Sequence, residues 1–110
     1  KFIIVAIEAA LLFKNQPKQC KKKKEEIDLE IENIFKNIEK NETGIMPHQQ
    51  DPSGKSTFSA NYYNLKNGHV VLACVNWDIY MKEKYNLIDN LRLGIYTSNF
   101  QNWLDNIAYT

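Results

Sequence analysis

The sequence predicts a small single domain of the α+β class: two N-terminal helices, an antiparallel three-stranded sheet built on a β-hairpin, and a C-terminal helix. Its 110 residues, 44% of them hydrophobic, suit one domain with one core. A helical apolar repeat lies in the first part of the chain, and a hairpin signature lies in the second. We therefore expect a helical part over 1–40, a long loop over 41–57, and the sheet plus C-terminal helix over 58–110.

The apolar run Phe2–Phe13 predicts a buried first helix, with Glu8 as its one charged residue. The run is similar to the hydrophobic part of a signal peptide, but Glu8 interrupts it and no small-residue cleavage site follows. It is also too short to cross a bilayer, which takes roughly 20 apolar residues. Pro17 cannot continue a helix, so the first helix is expected to end near Asn15–Pro17.

A second helix is predicted over Glu25–Lys40. Its apolar stripe consists of Ile27, Ile31, Ile34, Phe35 and Ile38. Acidic residues early in this segment and lysines late in it would suit the helix dipole. The preceding run Lys21–Lys24 is interpreted as a solvated first turn, because acidic residues follow it at once.

The polar stretch 41–57 predicts a long connection. It contains Gly44, Pro47, Pro52 and Gly54. Loops of this length inside a compact domain are uncommon and are often functional. We therefore expect a binding surface here, with His48 and Asp51 as candidate binding residues.

A β-hairpin is the strongest local signal. The segments Phe58–Leu65 and His69–Trp77 are rich in aromatic and β-branched residues. Asn67 and Gly68 between them are typical of a type I′ turn. Because His69–Trp77 is apolar on both faces, it is predicted to be a central strand covered on both sides.

This turn sets an expected register, with Leu65 opposite Val70 and Tyr63 opposite Leu72. One face, interpreted as the core face, carries Phe58, Ala60, Tyr62, Val71, Ala73, Val75 and Trp77. The other face is also apolar and carries Tyr63, Leu65, Val70, Leu72 and Cys74. Each side of the hairpin is therefore expected to pack against another layer.

Three further elements are predicted after the hairpin. Asp78–Tyr85 is compatible with a short helix or a loop, and the alternation in Leu91–Thr97 predicts a third strand. Ser98–Gln101 is a capping box that would open a final helix. The buried stripe of that helix would consist of Phe100, Trp103, Leu104 and Ile107.

The two cysteines, Cys20 and Cys74, are too few and too far apart for a disulfide framework. They are interpreted as reduced thiols of a cytoplasmic protein, and a Cys20–Cys74 bridge is the alternative if the protein is secreted. No two His or Cys residues have metal-ligand spacing, so neither a metal nor another cofactor is expected.

Charge composition argues against nucleic acid as a partner. The net charge is only +1, so no strong field attracts polyanions. The basic residues are nearly all lysines, and the one arginine is Arg92. Arginine is the residue preferred for bidentate phosphate recognition, and this chain scarcely uses it.

A catalytic site would have to use His48 and His69 as an acid–base pair, with Asp78 as a further acid and Arg92 as the cation. That set describes a small metal-independent nuclease. Two histidines without a shared motif are ordinary in a domain of this size, so the nuclease-like hydrolase is the alternative function.

The leading interpretation is a small non-enzymatic protein-interaction module that binds a protein partner or a second copy of itself. Apolar residues on both sheet faces favour it, and Tyr63 and Tyr96 are expected as exposed binding rings. A further alternative is an exported or filament-type subunit with an oxidised Cys20–Cys74 pair. A membrane span is not expected.

Overall fold

An antiparallel sheet is the framework of the structure, a computed structural model that describes residues 6–66 and 68–97. Its strands are β1 (Ala6–Leu12), β2 (Glu39–Pro47), β3 (Thr57–Leu65), β4 (Gly68–Asn76) and β5 (Asn90–Thr97). Their order across the sheet is β1-β5-β4-β3-β2. Helix α1 (Pro17–Ile34) connects one outer strand to the other, and the short helix α2 (Ile79–Tyr85) connects β4 to β5.

The expected architecture of three strands and two N-terminal helices is therefore wrong, although the chain does combine helices with an antiparallel sheet. The apolar run predicted as the first helix contains β1, which pairs with β5. An apolar run without periodicity fits a strand as well as a helix. The predicted C-terminal helix lies outside the described residues.

The boundaries of the second predicted helix are also wrong. Helix α1 begins at Pro17, well before Glu25, and ends at Ile34, short of Lys40. Proline is favoured in the first turn of a helix, so Pro17 starts α1. Asn37 has a φ of +61°, and the polar residues from Glu39 onward belong to β2.

Much of the predicted long loop is β2, and only residues 48–56 connect it to β3. The pairing of β2 with β3 shifts register between Glu42 and Ile45, around Gly44 with a φ of +66°. A bulge with glycine in the left-handed region explains this shift. The strand was missed because an exposed outer strand has no alternating apolar pattern.

The hairpin is confirmed, with β4 between β3 and β5, but its expected register is wrong. Leu65 lies opposite Gly68, and Tyr63 lies opposite Val70. The pairing is displaced by two residues, so each side chain remains on its predicted face. The strand predicted over Leu91–Thr97 and the short helix after Asp78 are both present, as β5 and α2.

Helix α1 packs against the face that carries Tyr63, so the prediction that the face with Phe58 is the core face is wrong for this layer. The buried cluster there consists of Cys20, Ile31, Tyr63, Val70, Leu72, Cys74 and Leu91. Ala73 and Val75 on the opposite face of β4 are buried as well. β4 is therefore shielded on both faces, as its apolar pattern predicted.

Cys20 and Cys74 form a disulfide that ties the start of α1 to β4, with the two Cα atoms 6.1 Å apart. The interpretation as reduced thiols is wrong, and the bridged alternative is confirmed. The sequence could not decide between them, because 54 positions separate the cysteines and only the fold brings them together. Neither helix in the described ranges is long and apolar enough to cross a lipid bilayer.

Candidate functional site

A cavity of about 490 Å³ lies between α1 and the strands β2 and β3; we call it the groove. Helix α1 packs mainly on β4 and β5, which leaves this side of the sheet uncovered. Its helix wall consists of Pro17, Lys18, Lys21, Lys24, Glu25 and Asp28, and its sheet wall of Glu42, Gly44, Ile45, Ser59, Asn61, Cys74 and Asn76. The volume falls within the range of ligand sites in proteins, roughly 300–1,000 Å³.

The bulge in β2 shapes the outer rim of the groove. A side chain at Gly44 would meet no atom within 4 Å, so the rim is open at this point. Ile45 beside it is 81% exposed, the largest exposed fraction among the large hydrophobic residues of the described chain. The rim thus offers an apolar side chain to whatever enters the groove.

Lysines dominate the helix wall at its N-terminal end. Lys18, Lys21 and Lys24 are spaced by three residues, which places them on one side of α1. Within residues 6–66 and 68–97, Lys18 and Lys21 form no ion pair. Lys24 Nζ reaches across the groove and donates to Ser59 Oγ at 2.7 Å, and burial lowers the pKa of Lys24.

Two of the three carboxylates on the groove walls, those of Asp28 and Glu42, contact Lys40, whereas Glu25 forms no ion pair in the described part of the chain. Lys40 Nζ lies 3.2 Å from the Asp28 carboxylate, 3.3 Å from Glu42 and 2.6 Å from Glu32. These contacts, chiefly the hydrogen bond to Glu32, raise the pKa of Lys40. Lys40 therefore offsets acidic charge at one end of the groove, and the lysine end stays cationic.

A buried polar network supports the sheet wall. The Tyr63 hydroxyl donates to Asp28 Oδ1 at 2.5 Å, and Asn61 Nδ2 donates to the Tyr63 hydroxyl at 3.2 Å. Burial, followed by the bond to Asp28, raises the pKa of Tyr63. Tyr63 is 0% exposed, so the expectation of an exposed binding ring at this position is wrong. The reason is that α1 covers its face of the sheet.

The start of α1 carries charges that oppose the helix dipole. Gln16 provides no side-chain cap, and the first turn holds no acidic residue. The expected order of acids first and lysines last is wrong, because the helix begins before the lysine run. Positive side chains beside the positive pole of a helix are unfavourable by themselves, and together they attract anions.

Asn76 adds an unsatisfied acceptor to the sheet wall. Its Oδ1 is buried and has no hydrogen-bond partner in the described part of the chain. A buried acceptor without a partner costs roughly 1–3 kcal/mol.

His48 and Asp51 have structural contacts in the connection 48–56. The His48 ring packs on Trp77, with centroids 4.4 Å apart, and burial, followed by the charge of Arg92, lowers the pKa of His48. Asp51 is buried and accepts hydrogen bonds from the backbone and the hydroxyl groups of Ser53 and Ser56. Asp51 therefore closes a turn.

His69 lies far from His48. It is the second residue of β4, whereas Trp77, which His48 contacts, follows the end of that strand. At about 3.3 Å per residue, roughly 26 Å of extended chain separates His69 from Trp77. The His69 ring stacks on Tyr96 at 5.2 Å, and the half-buried Tyr96 hydroxyl donates to the Glu8 carboxylate.

The other two catalytic candidates also fail to complete a site. The Asp78 carboxylate caps α2 by accepting from the Tyr80 N–H at 3.3 Å. Arg92 is exposed on β5. The charge of Arg92 acts on the pKa of His48, but the structure does not bring the two histidines together. No group of three metal-ligating side chains occurs in the described ranges.

Sequence reasoning missed the groove, because its walls come from segments assigned to other roles. The lysine run was interpreted as a solvated turn, and residues of β2 were interpreted as loop. One signal could have indicated it: a helix starting at Pro17 places Lys18, Lys21 and Lys24 on one face.

No protein-family model matches the sequence, and neither the curated proteins nor the solved structures include a match. The function therefore has to be inferred from the residues and geometry of the chain itself.

Proposed function

We propose that this chain is a non-enzymatic protein-interaction module that holds an extended segment of a partner protein in the groove. The observation that carries the proposal is a cavity of about 490 Å³ beside α1, over β2 and the Ser59 end of β3, whose lining combines charged side chains with apolar surface. An elongated occupant is favoured, because the helix wall from Pro17 to Asp28 is about 17 Å long.

A chain segment also suits the outer strand. β2 is one edge of the sheet within the described residues, and outer strands offer backbone groups for strand addition. Exposed Ile45 supplies apolar contact area on the same rim. Hydrolysis has less support, because the candidate pair His48 and His69 lies at opposite ends of β4.

We further propose that the domain works in an oxidising compartment, as in the secreted alternative. Disulfides persist in secreted proteins and are rare in the cytoplasm. The Cys20–Cys74 bridge favours secretion over a cytoplasmic location. When the wild-type protein is unfolded without reductant, a thiol titration should find no free thiol. Two free thiols per chain would contradict an oxidising compartment.

Selection of binders from a random peptide library tests the interaction module. Selected peptides should bind the domain and lose binding to Ser59→Trp, which fills the groove. Asn64→Trp is the matched control, since Asn64 is exposed on the same strand and does not line the groove. Peptides that bind both variants equally, or a selection that enriches none, would overturn the proposal.

Self-association is a second candidate, and β1 favours it. This outer strand exposes Ile7 by 53%, Leu11 by 47% and Leu12 by 66%, and its one charged residue is Glu8. Such an edge is a template for pairing with another strand. Light scattering over a dilution series should then show a dimer that dissociates, and Leu12→Lys should weaken it; a monomer at every concentration would exclude it.

A further inference from the structure

We infer that the segment bound in the groove is acidic and that Lys18, Lys21 and Lys24 receive its carboxylates; this inference rests on the proposed function. The three lysines share one wall of the groove. Two of them, Lys18 and Lys21, form no ion pair in the described ranges, and Glu25 is the one acidic residue of the lining that also lacks an ion pair there.

The charges along the helix wall of the groove favour an acidic segment. Lys18 and Lys21 are exposed and form no ion pair in the described ranges, while Lys24 is held by a neutral hydroxyl, that of Ser59. The carboxylates of Asp28 and Glu42 contact Lys40. An acidic segment would thus meet the free ammonium groups of Lys18 and Lys21, and Glu25 is the one carboxylate of the lining without an ion pair in the described ranges.

The energetics of α1 point the same way. Lysines three residues apart repel each other, and Lys18 also lies beside the positive helix pole. A carboxylate bound between them relieves both effects. Side chains that oppose local stability without an internal partner are typical of functional sites.

A peptide suits the groove better than a simple inorganic anion. The helix wall from Pro17 to Asp28 is about 17 Å long, so an extended segment can place several carboxylates along it, whereas one small anion cannot. The lysine ammonium is a point charge on a flexible stem, so it can pair with carboxylates of a segment that is bound in more than one conformation.

The test measures fluorescence anisotropy with a labelled eight-residue peptide of alternating Glu and Gly at about 0.15 M salt, where the Debye length is about 8 Å. The double variant Lys18→Glu/Lys21→Glu should lose at least about tenfold in affinity. The matched control Lys14→Glu/Lys22→Glu changes the net charge equally, at exposed positions outside the groove. We expect the control to lose less than about threefold, because distant exposed charges are screened.

Three results would overturn the inference: an equal loss in both double variants, equal binding of a Gln-Gly peptide, or displacement of the labelled peptide by inorganic phosphate of equal total charge. If library-selected neutral peptides remain sensitive to Ser59→Trp while the Glu-Gly peptide does not bind, the acidic partner is excluded and the interaction module stands. Thermal melting should show that Lys18→Glu/Lys21→Glu is no less stable than Lys14→Glu/Lys22→Glu. A loss of binding in the first variant is then not caused by unfolding.

Discussion

Asp51 and Tyr63 are polar residues whose roles depend on neighbours that are distant or unremarkable in the sequence. Both were candidates for binding, and both are buried hydrogen-bonding residues. The Asp51 carboxylate closes a turn by accepting hydrogen bonds from Ser53 and Ser56. The Tyr63 hydroxyl lies under α1 and needs an acceptor, which Asp28 provides. The residue types were identified from the sequence, but their burial depended on the location of α1.

Acid should weaken the contribution of Asp51 to stability. Hydrogen bonds from Ser56 and Ser53 lower the pKa of Asp51 from 3.8 to about 2. A depressed pKa means that the stabilisation is complete above pH 3.8 and is lost as the pH falls through about 2. Asp51→Asn should therefore lower the Tm at pH 7, with a difference that shrinks below pH 3. Thermal melts of both proteins from pH 2 to pH 7 measure this; a constant difference would contradict it.

We expect Lys18 to lower the free energy of unfolding, because its charge lies beside the positive pole of α1. Glu at this position would interact favourably with the helix pole and with Lys21 and Lys22. We expect Lys18→Glu to raise the free energy of unfolding by about 0.5–1 kcal/mol at low salt, with a smaller gain in high salt. Urea denaturation measures it, and Lys22→Glu, beyond the first turn, is the control. A destabilised Lys18→Glu would remove the argument from charge placement.

At the scale of elements, the sequence predicted best where the pattern had a clear period. The hairpin segments and β5 alternate or combine aromatic with β-branched residues, and these strands are present. β1 is apolar at most positions and β2 at few, so neither pattern could distinguish strand from helix or loop. Only the pairing with a neighbouring strand defines them.

The disulfide should contribute a large part of the stability. Closing a loop between residues 54 positions apart corresponds to about 4 kcal/mol in the chain-entropy treatment. Cys20→Ala/Cys74→Ala should lower the free energy of unfolding by about this amount, measured by urea denaturation. Reductant should have a similar effect on the native protein and none on the variant. Equal stability of the native protein with and without reductant would show that the bridge is absent.

At the scale of the whole molecule, the groove follows from the mismatch between one helix and a wide sheet. A helix is about 10 Å across, and strands lie about 4.8 Å apart, so one helix covers roughly two strands. Helix α1 covers β4 and β5. The inner faces of β2 and of the Ser59 end of β3 remain beside it and line the groove.

The general combination of helices with an antiparallel sheet could be predicted from the sequence, but the groove could not. Its location depends on α1 crossing from β1 at one edge to β2 at the other, and on the number of strands between them. No local pattern near Lys18 or Ser59 carries that information. The lysine spacing indicated a charged helix face without showing what lies opposite to it.

The central claim, that the space between α1 and β2–β3 is a binding groove, is tested most directly by an NMR titration of the ¹⁵N-labelled domain with the Glu-Gly peptide. The claim predicts saturable amide shifts at Lys18, Lys21, Ile45 and Ser59, which line the groove on both walls. Saturable shifts confined to β1, or to the opposite face of the sheet around Val71 and Arg92, would contradict it.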